Sequence, residues 1–528
     1  MESPAAMNTS PGPARRILFV AAVILVVLFY YQARGMLWAL VTRTAVVPAV
    51  TTGQLISGAD GRGYYAWLRS PLIDGDFQFA DEFAPLFAQN PGSGSMGPPT
   101  ATGHTSNPWP IGPSLVWAPA VIVVHLILEG MGPYSPWPAD GYSPPYQLAV
   151  AGTTLALAML TLFLTYGICR SFAGATASAA AAALITLGTP FVCYATVEMS
   201  MAHAPASAAL SLFVFVWLRT FGNKRPRRWV ALGCLLGLVC LMRWQLATFA
   251  MLPALEALWL ATRADAWPTR FGLMVKLAIA GSATLVVQIP QVAAKQIVYG
   301  HPVGGLLRVA KNWSEPSFWT VLASTDRGLF YWTPIAFAAL AGLICLVVRT
   351  RHPALMIVTT AIAVHIYTIA ALFGEEVFLG SSFGFRMLSE ATILMAPGIA
   401  LFFHPARRRT ARWAAVGGGL LVAWNLLLLG VYRHYLGGSQ GGSPAEVCAM
   451  AARYFILRPL EAIIILALVG WMMAIPFAAL RNHRGNFAQP NAEQDADTCT
   501  RAIGRMAAIR HRVLTLLLFK GKNIRHSK

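Results

Sequence analysis

The sequence ILFVAAVILVVLFYY occupies residues 17–31, directly after Arg15-Arg16, and contains no charged side chain. Comparable apolar runs recur along the chain as far as residue 480. A helix of about 20 such residues crosses a bilayer core of about 30 Å. Because a helix satisfies its own backbone hydrogen bonds in lipid, these runs predict an all-α, polytopic membrane protein. No small-residue cleavage pair follows the first run, which therefore predicts an uncleaved first helix.

The overall composition supports the same class. The chain has 528 residues, of which 56% are hydrophobic and 12% are charged, whereas a soluble domain carries roughly 25% charge. Its formal net charge of +19 would indicate nucleic acid in a soluble protein, but cytoplasmic loops of membrane proteins also collect Lys and Arg. No zinc-finger spacing, helix-turn-helix or aromatic RNA motif is present. The seven cysteines include no CxxC pair, so neither a disulfide framework nor structural zinc is predicted.

Basic loops decide the predicted topology. The strongest are RTFGNKRPRR (219–228), HPARRRTAR (404–412) and the C-terminal tail. All three lie inside if residues 111–130, whose approach and first half are crowded by prolines, stay on the outer side as a juxtamembrane or re-entrant piece. We therefore predict about 12 transmembrane helices, both termini cytoplasmic and a first outer loop at about 36–145. The predicted spans are 16–35, 146–168, 174–194, 204–221, 229–243, 247–262, 271–291, 330–348, 355–373, 387–404, 413–432 and 459–480.

Two parts of the chain are predicted. Residues 1–480 form the membrane-embedded domain, and its long first outer loop is expected to carry juxtamembrane helices. Residues 481–528 form a basic cytoplasmic tail, either an interfacial helix on anionic lipid or a disordered end.

The first outer loop concentrates acidic side chains. Five of the chain's 21 acidic residues lie close together there, in a protein that is otherwise basic: Asp60, Asp74, Asp76, Asp81 and Glu82. A membrane protein that gathers carboxylates and aromatic residues in one extramembrane loop is expected to do its chemistry there. Within this group, Asp81 and Glu82 are candidates to bind an acceptor or a cation; the alternative is an exposed loop pair.

Asp60 is the candidate catalytic residue. It lies in the sequence GADGRGYY (58–65), in which glycines permit a tight turn that presents a carboxylate. In a water-restricted cleft that carboxylate could accept a proton from a hydroxyl nucleophile. Tyr64 and Tyr65 offer stacking surface for a sugar or a lipid head group. The alternative is that Asp60 is a helix N-cap.

At this point the sequence resembles the GT-C superfamily of integral-membrane glycosyltransferases, including bacterial relatives of protein O-mannosyltransferases and aminoarabinose transferases. The motifs that carry the resemblance occur in order over residues 15–435: DGxxYYxxLRS from Asp60, TG…N…PIG ending at Gly112, GLVCLMRWQ (237–245), Pro290-Gln291 with YGHP (299–302), DRGLFYWTP (326–334) and SSFGFRML (381–388). The resemblance implies a multi-span enzyme, an essential Asp in the first outer loop and a polyprenyl-phosphate-linked sugar donor.

The chain also departs from that family. The acidic pair that some relatives carry at the start of the first loop is a single Asp60 here. The second outer loop offers Glu198 and His203 in YATVEMSMAHAP (194–205), as candidate substrate-binding residues or as a solvated loop end. No metal ligands are assigned and no cofactor is certain, although a divalent cation stays open.

Cations on the predicted outer side are candidates to bind the donor phosphate, because a guanidinium matches phosphate oxygens with two parallel hydrogen bonds. The alternative for each is a side chain that snorkels to outer head groups. These residues are Arg62, Arg243, Arg308, Lys311 and Arg386.

The sequence therefore predicts a glycosyltransferase of the bacterial cytoplasmic (inner) membrane. It would move a sugar from a polyprenyl phosphate to a hydroxyl of an unidentified glycan, lipid or protein acceptor at the outer face. Its partners would be the lipid-linked sugar and the bilayer, with no nucleic acid. The alternatives are a transporter or flippase of lipid-linked sugar, which should place charges in the middle of its spans, and a non-enzymatic assembly subunit.

Overall fold

The computed structural model describes residues 11–43, 54–89, 98–302, 312–325, 327–373, 382–403, 408–433 and 444–482. Every regular element in these ranges is helical and none is a strand, which confirms the all-α prediction. The chain divides into two compact units, Met1–Phe477 and Ala478–Lys528. The first unit is described below, and the predicted tail lies almost wholly outside the described residues.

In the described residues, ten α-helices precede residue 262: α1 (Pro11–Thr42), α2 (Gly58–Arg69), α3 (Ala80–Gln89), α4 (Gly112–Met131), α5 (Pro144–Cys169), α6 (Ala175–Leu187), α7 (Phe191–Thr196), α8 (His203–Arg219), α9 (Pro226–Met242) and α10 (Met251–Ala261). Eleven more follow: α11 (Trp267–Val287), α12 (Ile289–Tyr299), α13 (Phe318–Ala323), α14 (Leu329–Trp332), α15 (Pro334–Thr350), α16 (Pro353–Phe373), α17 (Ser389–Ile393), α18 (Ala396–Ala400), α19 (Arg408–Val431), α20 (Pro444–Leu457) and α21 (Pro459–Asn482).

The number of spans in the described residues is smaller than predicted. Seven helices are long and apolar enough to cross a membrane, or up to nine if each of two bent helix pairs counts as one span. The count of about 12 is therefore not confirmed. Several predicted spans are short or broken: the segment predicted at 174–194 is interrupted between α6 and α7, and the segment at 387–404 is bent by 53°. The seven are Gly12–Thr42, Gly112–Tyr134, Pro144–Cys169, Trp244–Ala261, Trp267–Val287, Pro353–Phe373 and Arg409–Val431.

Four connections between helices meet at one end of the bundle, and three of them are basic. The rings of Phe172 and Phe221 lie 5.6 and 6.4 Å from that of His352, and Phe221 lies 5.2 Å from Trp259. Phe172, Phe221 and His352 come directly after α5, α8 and α15, and Trp259 lies in the last turn of α10. The connections α5–α6, α8–α9, α10–α11 and α15–α16 therefore lie at the same end of the bundle. The basic loop 219–228 is one of them.

The opposite end is extended by α4, which covers most of the segment 111–130. The Trp117 Nε1 donates to Thr154 Oγ1 at 3.0 Å, and His125 Nδ1 lies 2.8 Å from the Tyr146 hydroxyl. Helix α4 therefore lies antiparallel to the first turns of α5. It is long and apolar enough to be a span, so its predicted place on the outer side stays a prediction.

Helix α12 fastens the first loop to the bundle. The buried Lys295 donates to the Asn107 carbonyl at 2.8 Å, and Asn107 Nδ2 donates to the Gly63 carbonyl at 2.9 Å. Gln291 accepts from the Ile111 backbone N–H at 2.9 Å. Trp67, Phe79 and Phe83 of the loop pack against α12. Burial of each such side chain stabilises the fold by about 1.5–3 kcal/mol. These contacts fix α2, which carries Asp60.

Candidate functional site

Asp60 lies in the first turn of α2 and forms an ion pair with Arg386. The chain enters α2 through Ser57, whose side chain makes no cap hydrogen bond, and through Gly58 at φ +67°. Asp60 is therefore not the N-cap. Arg386 Nη1 donates to Asp60 Oδ2 at 2.7 Å. The Arg386 side chain is 17% exposed and the Asp60 side chain is 26% exposed, so this pair is accessible from one side.

Two glycines let α2 approach its neighbours closely. A Cβ built on Gly61 would collide with the Ser200 hydroxyl, and one built on Gly63 would collide with the Trp109 ring. Ser200 Oγ instead accepts from the Ser57 backbone N–H at 3.2 Å. The glycine spacing seen in the sequence thus serves contact on two sides of the helix as well as the turn at its start.

A second charged group lies buried beside the first. Glu390 is 1% exposed, and its Oε1 lies 2.9 Å from His203 Nδ1 and 3.5 Å from Arg243 Nε. Arg243 Nη1 lies 3.1 Å from His203 Nε2, and Nη2 lies 2.8 Å from the Met387 sulfur. Arg243 is thus buried and paired, which differs from a side chain that snorkels to outer head groups.

Arg243 reaches this cluster because α9 ends at Met242. Its backbone is extended, with φ −154° and ψ 115°, and a 3-10 turn, Trp244–Ala250, follows before α10. The sequence predicted a break near Arg243–Ala247, and the structure confirms it.

Glu198 occupies the turn between α7 and α8. The Tyr432 hydroxyl donates to Glu198 Oε1, and Glu198 Oε2 is buried with no hydrogen-bond partner among the described residues. Next to it, the Tyr194 ring packs on that of His203 with centroids 4.2 Å apart, and its hydroxyl donates to the Phe383 carbonyl at 3.2 Å. Of the two predicted residues of this loop, His203 belongs to the buried charged group, and Glu198 interacts electrostatically with Arg386 and Asp60.

Tyr64 lies within electrostatic reach of both ion pairs. Burial raises the pKa of its hydroxyl to about 12, although Arg243 and Arg386 oppose that rise. The negative charges of Asp60 and Glu390 raise the Tyr64 pKa further. A neutral hydroxyl in this position can donate or accept a hydrogen bond.

Other predicted residues lie away from this group. Glu82 is buried against Arg69, with Oε1 and Nη1 3.0 Å apart; burial raises the Glu82 pKa even though Arg69 lowers it. Arg62 is buried and donates to Gln54 Oε1 at 2.9 Å and to the Glu82 carbonyl at 3.3 Å. The side chains of Arg62, Arg69 and Glu82 therefore connect parts of the first loop to each other.

Three further predictions have different outcomes. The Tyr65 hydroxyl donates to the Gly141 carbonyl at 2.7 Å, so this ring is part of the packing of the loop. Asp81 is exposed, and its contact with an acceptor stays a prediction. Arg308 and Lys311 lie outside the described residues.

Sequence reasoning missed Glu390, Tyr194 and Tyr432. For Glu390 a signal existed: it is an acidic residue inside an apolar run, four positions after Arg386 in RMLSE (386–390). Residues three to four apart share a helix face, so this spacing could have predicted that the two act together. The tyrosines gave no comparable signal, because aromatic residues are common at membrane boundaries.

The carboxylates do not form a metal site as they stand. No three His, Cys, Asp or Glu side chains gather as a metal-ion site in the part of the chain that the structure describes. Asp60 and Glu198 are engaged with Arg386 and Tyr432. A divalent cation at this site therefore stays a prediction, without a ligand set among the described residues.

Fold and site together define a multi-pass helical membrane protein with a polar cluster at one end of its bundle. Similar solved structures include the oligosaccharyltransferase of Archaeoglobus fulgidus in a complex with Zn and sulfate, at 13% identity and a TM-score of 0.46, over 81% of this chain and 53% of that one. Another is the oligosaccharyltransferase AglB of the same organism with an inhibitory peptide and a dolichol-phosphate, at 14% identity and a TM-score of 0.42, over 91% and 56%.

The chain spans little more than half the length of these solved structures. A likeness at this level assigns no function. No protein-family model and no curated protein matches the chain.

Proposed function

We propose that this chain is a membrane glycosyltransferase that moves a sugar from a polyprenyl-phosphate-linked donor to an acceptor hydroxyl at the outer face of the cytoplasmic membrane. The observation that carries the proposal is the contact between Asp60 and Arg386. It places a candidate base and a candidate phosphate-binding cation within one hydrogen bond of each other. The order of motifs that resembles membrane glycosyltransferases supports the same reaction class.

The proposed reaction assigns one task to each side chain. Asp60 accepts the proton of the acceptor hydroxyl, whose oxygen forms a bond to the anomeric carbon of the sugar. The bond from that carbon to the phosphate oxygen breaks, and the polyprenyl phosphate leaves with its electron pair. Arg386 stabilises the negative charge that develops on the phosphate.

Arg243 is the second candidate to contact the phosphate. One of its donors, Nη2, is directed at the Met387 sulfur, which is a weak acceptor. A phosphate oxygen would replace that partner with a much stronger one. Arg243 could make this exchange while its Nε stays near Glu390.

The distribution of charge supports the proposed outer location. The site lies at the start of α8 and the end of α9, whereas the basic loop 219–228 joins their other ends. Short loops rich in Lys and Arg stay in the cytoplasm. This supports an outer site, with helices of 17 residues, or about 25 Å, between it and the inner loops.

The Asp60→Asn variant tests the proposal. It keeps the size of the side chain and removes the charge that a base needs. Release of polyprenyl phosphate from radiolabelled polyprenyl-phosphate hexoses and pentoses is measured in nanodiscs. We expect the rate to fall about 10²–10⁴-fold. Asp265→Asn is the matched control, because Asp265 is exposed in the connection between α10 and α11, at the other end of the bundle, and should keep the wild-type rate. A wild-type rate in inserted Asp60→Asn protein would remove this residue from the mechanism.

A further inference from the structure

The five-residue segment RMLSE, Arg386–Glu390, connects the two charged groups. Its first residue pairs with Asp60, its second contacts Arg243 through sulfur, and its fifth holds both His203 and Arg243. Its first three residues form a 3-10 turn, and its last two begin α17. One short stretch of backbone therefore carries contacts to both charged groups.

The Glu390 carboxylate is buried at a cost. Its Oε1 serves both His203 and Arg243, whereas Oε2 is buried with no hydrogen-bond partner among the described residues. Burying a carboxylate is unfavourable unless charges and hydrogen bonds compensate it. Glutamine would make the same contact at Oε1 without the charge, so packing alone does not require a glutamate.

His203 completes the hold on Arg243. If Nδ1–H donates to Glu390, Nε2 of the neutral ring is free to accept from Arg243 Nη1, 3.1 Å away. Arg243 is then held directly, through Nε, and indirectly, through the imidazole. The packing of Tyr194 on the His203 ring fixes its plane.

We propose that Glu390 is a positioning residue for donor binding, which rests on the proposed function. Its charge holds the Arg243 guanidinium beside Met387, one residue from Arg386, so that both cations face the same phosphate. Without the charge, Arg243 loses its ionic partner and its fixed direction. The donor should then bind more weakly, while proton acceptance at Asp60 is affected less.

The test is the Glu390→Gln variant in nanodiscs, probed with a C55 polyprenyl monophosphate. We expect its Kd, and the KM for a lipid-linked sugar, to rise about 10-fold or more, with a smaller change in kcat. The matched control is Glu256→Gln. Glu256 is equally buried and pairs with Arg228 at 2.8 Å, where α9 begins, at the other end of the bundle from the site. That change should lower the melting temperature and leave the Kd unchanged.

A double-variant cycle separates positioning from general loss of structure. If Glu390 acts through Arg243, adding Glu390→Gln to Arg243→Gln should raise the Kd little further. Fully additive effects, or an unchanged Kd in folded Glu390→Gln protein, would overturn the inference. Should that variant fail to fold, His203→Asn replaces it, and wild-type affinity there would overturn the inference as well. Wild-type protein that neither binds the monophosphate nor transfers sugar would refute the proposed function itself.

Discussion

The guanidinium of Arg386 donates to the carboxylate of Asp60, with Nη1 and Oδ2 2.7 Å apart. In the proposed reaction this guanidinium also binds the donor phosphate, so Asp60 and the phosphate are two anions that share one cation. Replacing Arg386 should therefore affect the donor as well as the carboxylate.

The first prediction concerns Arg386→Lys. Lysine keeps the charge but loses the planar fork that binds two phosphate oxygens. We expect donor affinity to fall at least several-fold while the protein keeps its melting temperature, measured as the Kd for C55 polyprenyl monophosphate. Arg349→Lys, an exposed substitution in α15, is the control and should change nothing. Equal affinity in Arg386→Lys and wild-type protein would count against a bidentate contact between Arg386 and the phosphate.

The second prediction concerns the close approach of α2 to Ser200. In Gly61→Ala the new methyl group meets the Ser200 hydroxyl, and we expect a loss of about 1–3 kcal/mol in stability together with reduced transfer. Adding Ser200→Gly removes the clash and should restore part of both. Gly152→Ala in α5 is the control, because nothing lies within 4 Å of its Cβ. Failure of the second change to restore either property would show that the clash is not the cause.

The third prediction is a pH dependence that arises from Lys295. Burial lowers the pKa of its ammonium group from 10.5 to about 7. Between these values the unfolded chain binds a proton that the folded chain does not, so the free energy of unfolding should rise with pH from about 7 to 10.5. Lys295→Met should remove this contribution, seen as a flatter plot of melting temperature against pH. Lys224→Met, at an exposed position, should keep the wild-type slope.

The fourth prediction concerns orientation. In a cysteine-free background, single cysteines at Ala101 and Asn223 lie in the first loop and in the basic loop 219–228. In intact cells an impermeant thiol reagent should label the cysteine at 101 and leave the one at 223 unlabelled until the membrane is opened. The reverse pattern would place the site on the cytoplasmic side.

Helix positions were largely predictable because apolar runs and charged boundaries are local features. The break at Arg243, for example, follows from a run too long for one span at about 1.5 Å per residue. The number of spans could not be predicted, because interruptions such as the turn between α6 and α7 depend on how the helices pack. Gly342 and Gly398 are an example of such packing. Their backbones touch, although no sequence pattern near either residue predicts the contact.

The candidate site was predictable in part. Asp60 stood out through its glycine-flanked setting in the first loop. His203, Arg243 and Arg386 stood out as ionisable residues near the ends of apolar runs, and the structure brings all four together. Which cation pairs with which carboxylate could not be derived, since the partners are far apart in sequence. The burial of Glu82 against Arg69, 13 positions away, could not be derived either, because it depends on how the first loop folds.

The partners Asp60 and Arg386 are separated by 326 positions. At about 5–20 residues per second, a ribosome needs roughly 16–65 s to synthesise that interval. During that time the Asp60 carboxylate lacks its native partner, Arg386. Tyr432, which donates to Glu198, is synthesised later still. The nascent chain therefore completes its polar cluster only after residue 432 has been synthesised, and a chain interrupted before residue 386 would hold Asp60 without its cation.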